Sequence, residues 1–150
     1  MTQFDPATFA AVGPKEFAQL VKSTPADELK AAMQGEHRAA ILDEIFGRMP
    51  GLFRPDRAGG TNAVVHWVVG DRPDGGADTY ELVIANGVCT LSPKPEHDPK
   101  LSLTLPAVEF LKVVSGNANP VMLFMTGKLK AKGDLGLAAN IANLFDIPKA

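Results

Sequence analysis

The three histidines, His37, His66 and His97, are the residues of this chain best suited to metal binding or proton transfer. A catalytic zinc ion takes three protein ligands and keeps one open position. His66 falls in a segment with strand-like alternation, His97 lies beside Glu96 and Asp98 in a proline-rich loop, and His37 is near a helix start. No sequence spacing connects them. We therefore expect solvated or singly hydrogen-bonded histidines, with no metal site and no cofactor.

The Gly127-Lys128 pair is the nearest approach to a phosphate-binding loop. That motif needs a glycine five residues before the pair and Ser or Thr directly after it. Met122 and Leu129 occupy those positions, so the motif is absent. The run Gly133-Asp134-Leu135-Gly136 lacks the spacing of a dinucleotide-binding loop and predicts a strand-to-helix turn, with Asp134 capping the helix.

Nucleophilic catalysis needs a nucleophile, a base and an orienting group. The serines all have simpler interpretations as cap, loop or strand residues, and no Gly-x-Ser-x-Gly occurs: Ser23, Ser92, Ser102, Ser115. The single cysteine, Cys89, lies in a strand-like run between Val88 and Thr90, which predicts a buried thiol. We expect a protein that is not an enzyme.

Net charge argues against a general affinity for nucleic acids. The chain has 15 basic and 17 acidic side chains, a balance of −2, and no long run of either sign. No apolar run approaches the length of a membrane span, and the start does not resemble a signal peptide. With 150 residues, the sequence predicts one soluble, cytoplasmic globular unit.

Helical periodicity dominates the first third of the chain. Phe17, Leu20 and Val21 form one stripe, which is followed by a second helix with Thr24 as its N-cap. Ile41, Ile45 and Met49 recur every four residues and define a third helix, which Pro50-Gly51 is expected to end. Leu42 and Phe46 lie beside them, which predicts a broad apolar face on this helix.

The pattern changes to a period of two from Thr61 onward, which predicts strands. Residues 63–69 carry apolar residues on both faces, and 79–85 and 88–91 are joined by Asn86-Gly87, a strong hairpin signal. A fourth strand is predicted by the alternating leucines at 101, 103 and 105, and a helix is expected to begin at Pro106. A fifth strand is predicted over residues 128–132. Strands flanked by helices favour an α+β fold with a mostly antiparallel five-stranded sheet and helices over one face.

The segment from Asn119 to Gly133 joins two stretches of opposite character. Val121 to Met125 is apolar without interruption, so a helix there must be wrapped by protein or must line an apolar space. The next residues alternate, with Lys128, Lys130 and Lys132 on one strand face. Those lysines are interpreted either as a solvated face that protects an edge strand or as a local basic stripe.

Apolar side chains are dense in the C-terminal third, and two interpretations of them stay open. They form plain core, or the helices that carry them enclose a tunnel for a hydrophobic ligand. A lipid tail of ~16 methylenes at ~0.8 kcal/mol each offers ~13 kcal/mol gross against an association cost of ~4–15 kcal/mol. Binding in the micromolar range would then need few polar contacts.

Four strings carry a resemblance to a known family: Ile41-Leu42-Asp43-Glu44-Ile45-Phe46-Gly47-Arg48-Met49-Pro50, Val64-Val65-His66-Trp67-Val68-Val69, Ala85-Asn86-Gly87-Val88-Cys89, and Phe124-Met125-Thr126-Gly127-Lys128-Leu129-Lys130-Ala131-Lys132-Gly133-Asp134. They resemble the sterol carrier protein 2 family, from about Ala39 to Ile147. A Gly-Lys-Leu-Lys-like strand ending in Gly-Asp is the most specific part.

The resemblance implies a five-stranded sheet with helices around an apolar tunnel for fatty acids, acyl-CoA, sterols or phospholipids. Carried over by position, nine residues would line that tunnel: Phe46, Trp67, Phe110, Val114, Met122, Met125, Ile141, Leu144 and Phe145. Residues 1–38 would be a helical extension packed on the same domain, and 39–150 the lipid-binding domain.

The function expected is non-enzymatic binding or transfer of a hydrophobic ligand, with transient contact to a membrane surface. An alternative is a protein-interaction module whose cavity is vestigial and whose N-terminal helices dock a partner. An enzyme acting on a lipid is a third class, for which no reactive trio is apparent. The chain ends without an evident peroxisomal address such as Ser-Lys-Leu.

Overall fold

The computed structural model describes residues 13–36, 38–92 and 94–145, which form the predicted α+β fold. The helices, in chain order, are α1 (Pro14–Ser23), α2 (Ala26–Met33), α3 (Arg38–Leu52), α4 (Pro55–Ala58), α5 (Ala107–Val114), α6 (Pro120–Met125) and α7 (Leu135–Asn140). The strands are β1 (Ala63–Val69), β2 (Asp78–Ala85), β3 (Val88–Leu91), β4 (Leu101–Leu105) and β5 (Lys130–Gly133). A 3₁₀ turn, Ile141–Leu144, follows α7.

The five strands form one sheet in the order β3-β2-β1-β4-β5. β1 pairs with β2, β2 with β3 and β4 with β5 in antiparallel fashion, which confirms the mostly antiparallel prediction. β1 and β4 are parallel, with Trp67 opposite Leu103. The sheet is therefore mixed, because residues 92–100 return the chain from one edge to the far side of β1 before β4 begins.

The hairpin between β2 and β3 confirms the predicted turn. Asn86 and Gly87 have φ of 54° and 75°. Positive φ at both central residues is the requirement of a two-residue hairpin turn whose twist matches the strands. Asparagine and glycine meet it at the lowest steric cost.

The two sheet faces have different surroundings. The inner face holds buried side chains from three adjacent strands, represented by Val65, Leu82 and Leu103. The opposite face carries the half-buried Val64 and His66. Apolar residues on both faces of β1 are explained by its place in the middle of the sheet.

Two predicted helix boundaries are wrong. α3 continues through Pro50 to Leu52, because a proline near the end of a helix removes one backbone bond with few turns left to disrupt. Thr24 is not the N-cap of α2; its hydroxyl donates to the Leu20 carbonyl at 2.6 Å, and Pro25 holds the capping position. Thr24 therefore terminates α1.

The last helix, α7, begins as predicted and is only six residues long. Asp134 caps α7 by accepting the Leu137 N–H at 3.0 Å. The helix gives way to the 3₁₀ turn at Ile141, and Phe145 is already extended. The buried residues Ile141, Leu144 and Phe145 therefore lie beyond the end of α7.

Candidate ligand-binding site

An aromatic layer lies between α3, α5 and the inner face of the sheet. Phe46 from α3 stacks on Phe110 from α5, with ring centroids 5.2 Å apart and an interplanar angle of 19°. Trp67 from β1 meets Phe110 edge to face at 5.7 Å. All three rings are buried. The structure thus brings together three of the residues that the resemblance assigned to a tunnel.

Four more of the nine predicted residues are buried in the helices and turns of the C-terminal half. Val114 belongs to α5, Ile141 and Leu144 to the 3₁₀ turn, and Phe145 follows directly. The Phe145 ring meets Phe53 edge to face at 5.8 Å. These residues join the same apolar core as the aromatic layer.

The indole of Trp67 is the unusual polar group of this interior. The residue is 2% exposed, and its Nε1 has no hydrogen-bond partner among the described residues. Leaving a buried donor unsatisfied costs about 1–3 kcal/mol. A ligand oxygen at this position would remove that penalty.

The helix α6 differs from its expected surroundings. Of its six residues Pro120 and Leu123 are buried, whereas Met122 and Met125 are 57% and 75% exposed. The first of the two predicted alternatives, a helix wrapped by protein, is therefore wrong for the described residues, and the second, a helix that lines an apolar space, stays a prediction. A helix this short turns only one face toward the body of the domain, so its remaining apolar side chains face outward.

Two aromatic contacts of the interior were missed in the sequence. Tyr80 stacks on Phe46 with centroids 4.1 Å apart, and its hydroxyl donates to Asp43 Oδ1 at 2.9 Å. Burial, and after it the Asp43 carboxylate, raise the pKa of Tyr80. Phe53 forms a single β-bridge with Phe145. No local signal in the sequence identifies the partner of Tyr80.

On the outer face of the sheet, Glu81 gathers residues that no sequence spacing connected. Its Oε1 accepts from His66 Nε2 at 3.0 Å and from the backbone N–H groups of Glu96 and His97 at 3.1 and 2.8 Å. Its Oε2 accepts from His97 Nδ1 at 2.9 Å. His66 and His97 are thus held by one carboxylate, a convergence that the sequence prediction lacked; His37 lies outside the described residues.

The carboxyl of Glu81 is held ionised. Burial by itself would raise its pKa, but hydrogen bonds from Ser92, His97 and His66 outweigh burial and lower the pKa well below the usual range. The hydrogen bond to Glu81 in turn raises the pKa of His97. The cluster fixes the loop 92–100 against β2, and a carboxyl with so low a pKa is a weak base.

Arg38 is a second buried charge with a structural role. Its guanidinium donates to Asp78 Oδ2 at 2.8 Å, to the Val69 carbonyl at 2.7 Å and to the Met33 carbonyl at 3.0 Å. One side chain therefore connects the end of α2, the end of β1 and the start of β2. Such a clamp holds the N-terminal helices to the sheet.

An open pocket of about 380 Å³ lies between the N-terminal helices and α5. Its lining includes Val21, Leu29 and the charged Lys22 and Lys112. It is separate from the aromatic layer. It therefore provides a concave surface on the side of the molecule that the N-terminal helices form.

Cys89 is buried, as predicted, and burial raises the pKa of its thiol to about 11. Within 13–36, 38–92 and 94–145, no three His, Cys, Asp or Glu side chains are grouped so that they could hold a metal ion. Over the same ranges, no helix combines the length and apolar character that crossing a bilayer requires.

Comparison with known proteins agrees with this geometry. The family model described as the SCP-2 sterol transfer family matches residues 47–146. Human hydroxysteroid dehydrogenase-like protein 2 is 30% identical over 138 residues, which cover 89% of this chain and 32% of that protein. Human sterol carrier protein 2 is 33% identical over 76 residues, covering 51% of this chain and 14% of that protein. The chain thus spans about a third or less of these curated relatives.

A solved structure shares the fold as well. Sterol carrier protein 2 from Yarrowia lipolytica in its apo form superposes with a TM-score of 0.54 at 25% identity, covering 75% of this chain and 94% of that one. The match of the family model over two thirds of the residues, with this shared fold, establishes the relationship. The chain belongs to the SCP-2 sterol transfer family, a family of lipid-binding and lipid-transfer domains.

Proposed function

We propose that this chain binds a fatty acid, acyl-CoA, sterol or phospholipid in an apolar tunnel between the helices and the inner face of the sheet, and transfers it without catalysis. The observation that carries the proposal is the buried Nε1 of Trp67, which lies in the aromatic layer and has no hydrogen-bond partner in the described part of the chain. A hydrocarbon chain supplies affinity by burial. One ligand oxygen accepting from the indole N–H supplies orientation.

The nine residues of the predicted tunnel have two proposed roles. The buried rings of Phe46, Trp67 and Phe110 form one wall, and the buried side chains at the C-terminal end form the other: Val114, Ile141, Leu144 and Phe145. Met122 and Met125 are exposed, so we assign them to the rim of the tunnel. A flexible methionine rim suits ligands of varied shape.

The proposal is non-enzymatic because the polar cluster around Glu81 is unsuited to proton transfer. An efficient general base has a pKa near the working pH. The hydrogen bonds to Glu81 instead lower its pKa, away from the working pH. Its neighbours all donate to it, so none is activated as a nucleophile. We therefore assign the Glu81 cluster to loop anchoring.

The test compares a long-chain alcohol with the alkane of the same length, each displacing a bound fluorescent fatty acid. If the indole N–H bonds the ligand oxygen, the alcohol should compete about tenfold better than the alkane, since a net hydrogen bond is worth ~1 kcal/mol or slightly more. In Trp67→Phe that advantage should disappear. The phenylalanine ring is smaller than the indole, so the alcohol and the alkane both lose apolar contacts in this variant. Only the ratio of their affinities therefore reports the hydrogen bond.

Organic extraction of the purified protein, followed by mass spectrometry, gives the independent measurement. Recovery of a lipid supports the tunnel. If neither extraction nor displacement detects a ligand, the proposed function is refuted. If ligands bind but the alcohol-to-alkane ratio is unchanged in Trp67→Phe, the tunnel remains and the anchoring role of Trp67 is rejected.

The second candidate function is a protein-interaction module, favoured by the open pocket beside the N-terminal helices. We propose that residues 1–38 pack on the same domain as 39–150, supported by the buried Phe17 and Val21 and by Asn117, whose amide donates to the Ala18 carbonyl at 2.9 Å. Because deletion would uncover this core, the partner test should use Lys22→Glu in the full chain. Loss of a protein partner with unchanged lipid uptake would favour this alternative.

A further inference from the structure

The outer surface of α6 is an exposed apolar patch, of which the rim role proposed above concerns only Met122 and Met125. Val121, Met122, Phe124 and Met125 are all more than a third exposed, and Leu135 at the start of α7 is 54% exposed. Large exposed apolar patches mark interaction sites in stable soluble proteins. Interior ligand binding does not by itself explain side chains that face away from the interior.

A basic segment follows the patch directly. Lys128, Lys130 and Lys132 are exposed and follow α6 within the same chain segment. Residues 115–133 contain these three lysines and no acidic residue, although the whole chain has a net charge of −2. The positive charge is therefore local, and it coincides with the exposed apolar helix rather than being spread over the surface.

The connection between the helix and the lysines is well defined. The N–H groups of Lys128 and Leu129 both donate to the Leu123 carbonyl, at 2.9 and 3.1 Å. Leu123 and Leu129 are buried, so both ends of this turn are anchored in the core. β5 is the edge strand next to β4. The apolar helix and the lysines thus occupy one edge of the domain.

We propose that this edge, formed by the exposed residues of α6, Leu135 and the three lysines, docks on the surface of an anionic lipid bilayer. Apolar side chains that enter the boundary of headgroups and acyl chains, combined with lysines facing anionic headgroups, are the two components of interfacial membrane binding. A nucleic acid would satisfy the lysines but would leave the methionines exposed to water. The inference concerns this surface alone and does not require that the interior ligand be identified.

Lysine variants and methionine variants test the two components separately. The probes are phosphatidylcholine vesicles with and without phosphatidylserine, and binding is measured by flotation of the full chain. Each lysine contributes about 1 kcal/mol at an anionic surface, or about fivefold, so K128Q/K130Q/K132Q should weaken binding about a hundredfold. M122Q/M125Q should weaken it by about tenfold or more through lost apolar contact.

Matched controls come from the remainder of the chain. K15Q/K30Q/K94Q removes three exposed lysines and changes net charge equally. Val88→Thr alters an exposed apolar residue, 58% accessible, on β3 at the opposite edge of the sheet. Both controls should bind vesicles within about twofold of the unaltered chain, since neither touches the proposed edge. Thermal melts establish that every variant is folded.

Three outcomes would overturn the proposal. The unaltered chain does not float with phosphatidylserine vesicles; the control lysines matter as much as those of the edge; or the edge variants bind vesicles normally and self-associate on gel filtration. The last result would assign the lysines to protection of an edge strand. None of these measurements depends on the interior ligand, so the proposed function is tested separately.

Discussion

The substitution Glu81→Gln tests whether one buried carboxylate holds the loop 92–100 against the sheet. Glu81 is 1% exposed, and its carboxylate accepts hydrogen bonds from the side chain of Ser92, the ring of His66, the Glu96 N–H, and both the backbone and ring of His97. Glutamine preserves shape and one acceptor oxygen. It removes the charge and directs an amide N–H toward one of the donors.

The expected cost follows from these hydrogen bonds. Hydrogen bonds to a charged acceptor contribute about 1.5–3 kcal/mol and neutral ones about 0.5–1.5 kcal/mol, so about 1 kcal/mol is lost at each. Part of that loss is offset because a buried charge no longer has to be desolvated. We expect a net destabilisation of about 2 kcal/mol. For a chain of this size, that corresponds to a decrease in Tm of about 4–8 °C.

The pH dependence has a definite sign. The pKa of Glu81 is lowered in the folded state, so its contribution is present above the unfolded carboxyl pKa of about 4.3 and is lost as pH falls through the folded value. The pKa of His97 is raised, so its contribution is full below about 6.5 and is lost as pH rises through the folded value. The cluster stabilises most between those limits, and Glu81→Gln should flatten the decline above 6.5.

Urea unfolding at several pH values, followed by circular dichroism, measures both effects. Glu44→Gln is the matched control, because Glu44 pairs with Arg48 on the surface of α3 at 3.1 Å, where such pairs contribute ~0.5 kcal/mol or less. If Glu81→Gln loses no more stability than Glu44→Gln, the buried carboxylate does not anchor the loop. An unchanged pH profile would separately reject the link between Glu81 and His97.

Two further predictions use the same unfolding measurement. Gly133→Ala should destabilise the protein by about 2–4 kcal/mol, because residue 133 has φ of 108° and the new Cβ would meet the Lys100 carbonyl oxygen. Gly47→Ala is its control: nothing lies within 4 Å of the new Cβ, so this substitution should instead stabilise α3 by up to about 1 kcal/mol. Arg38→Met should cost about 3 kcal/mol, because two strand and helix carbonyls and Asp78 lose a buried donor, whereas Asp78→Asn, at a half-exposed position, should cost less. Equal changes in the free energy of unfolding for the two glycine variants, or for the Arg38 and Asp78 variants, would contradict these predictions.

Local patterns identified the strands and turns because each is specified by neighbouring residues. Alternation placed β1 and β2 within one or two residues of their observed bounds, and Asn86-Gly87 specified the hairpin. Asp134 was recognised as a cap from its position before an apolar helix. The end of α3 was missed because Pro50 was interpreted as a stop, whereas a late proline disrupts little.

Contacts between distant residues could not be predicted in this way. Glu81 falls on the outer sheet face by alternation, but nothing in the spacing places His97 against it. Arg38 at a helix start gives no sign that it will meet Asp78, forty positions later. Such contacts depend on the sheet order and on the path of a loop, which a period of two or of 3.6 does not encode.

The solvent-exposed helix α6 shows a limit of predicting burial from hydrophobic periodicity. An amphipathic helix shows which face is buried because its other face is polar. Val121 to Met125 has no polar face, so its sequence is equally compatible with burial on every side and with an exposed apolar surface. Only its position at the edge beside β5 distinguishes these possibilities. The predicted membership of Met122 and Met125 in the tunnel lining stays a prediction.

Two features of this domain are unfavourable for an isolated protein in water. One is the buried indole N–H of Trp67, for which the described residues provide no acceptor, and the other is the row of apolar side chains on α6 that faces solvent. Proteins tend to retain such violations at functional sites. A lipid relieves both: an oxygen on the ligand satisfies the donor inside, and a bilayer covers the helix outside. A domain that exchanges lipid with a membrane therefore has a physical reason for both features, whereas a purely structural module has a reason for neither.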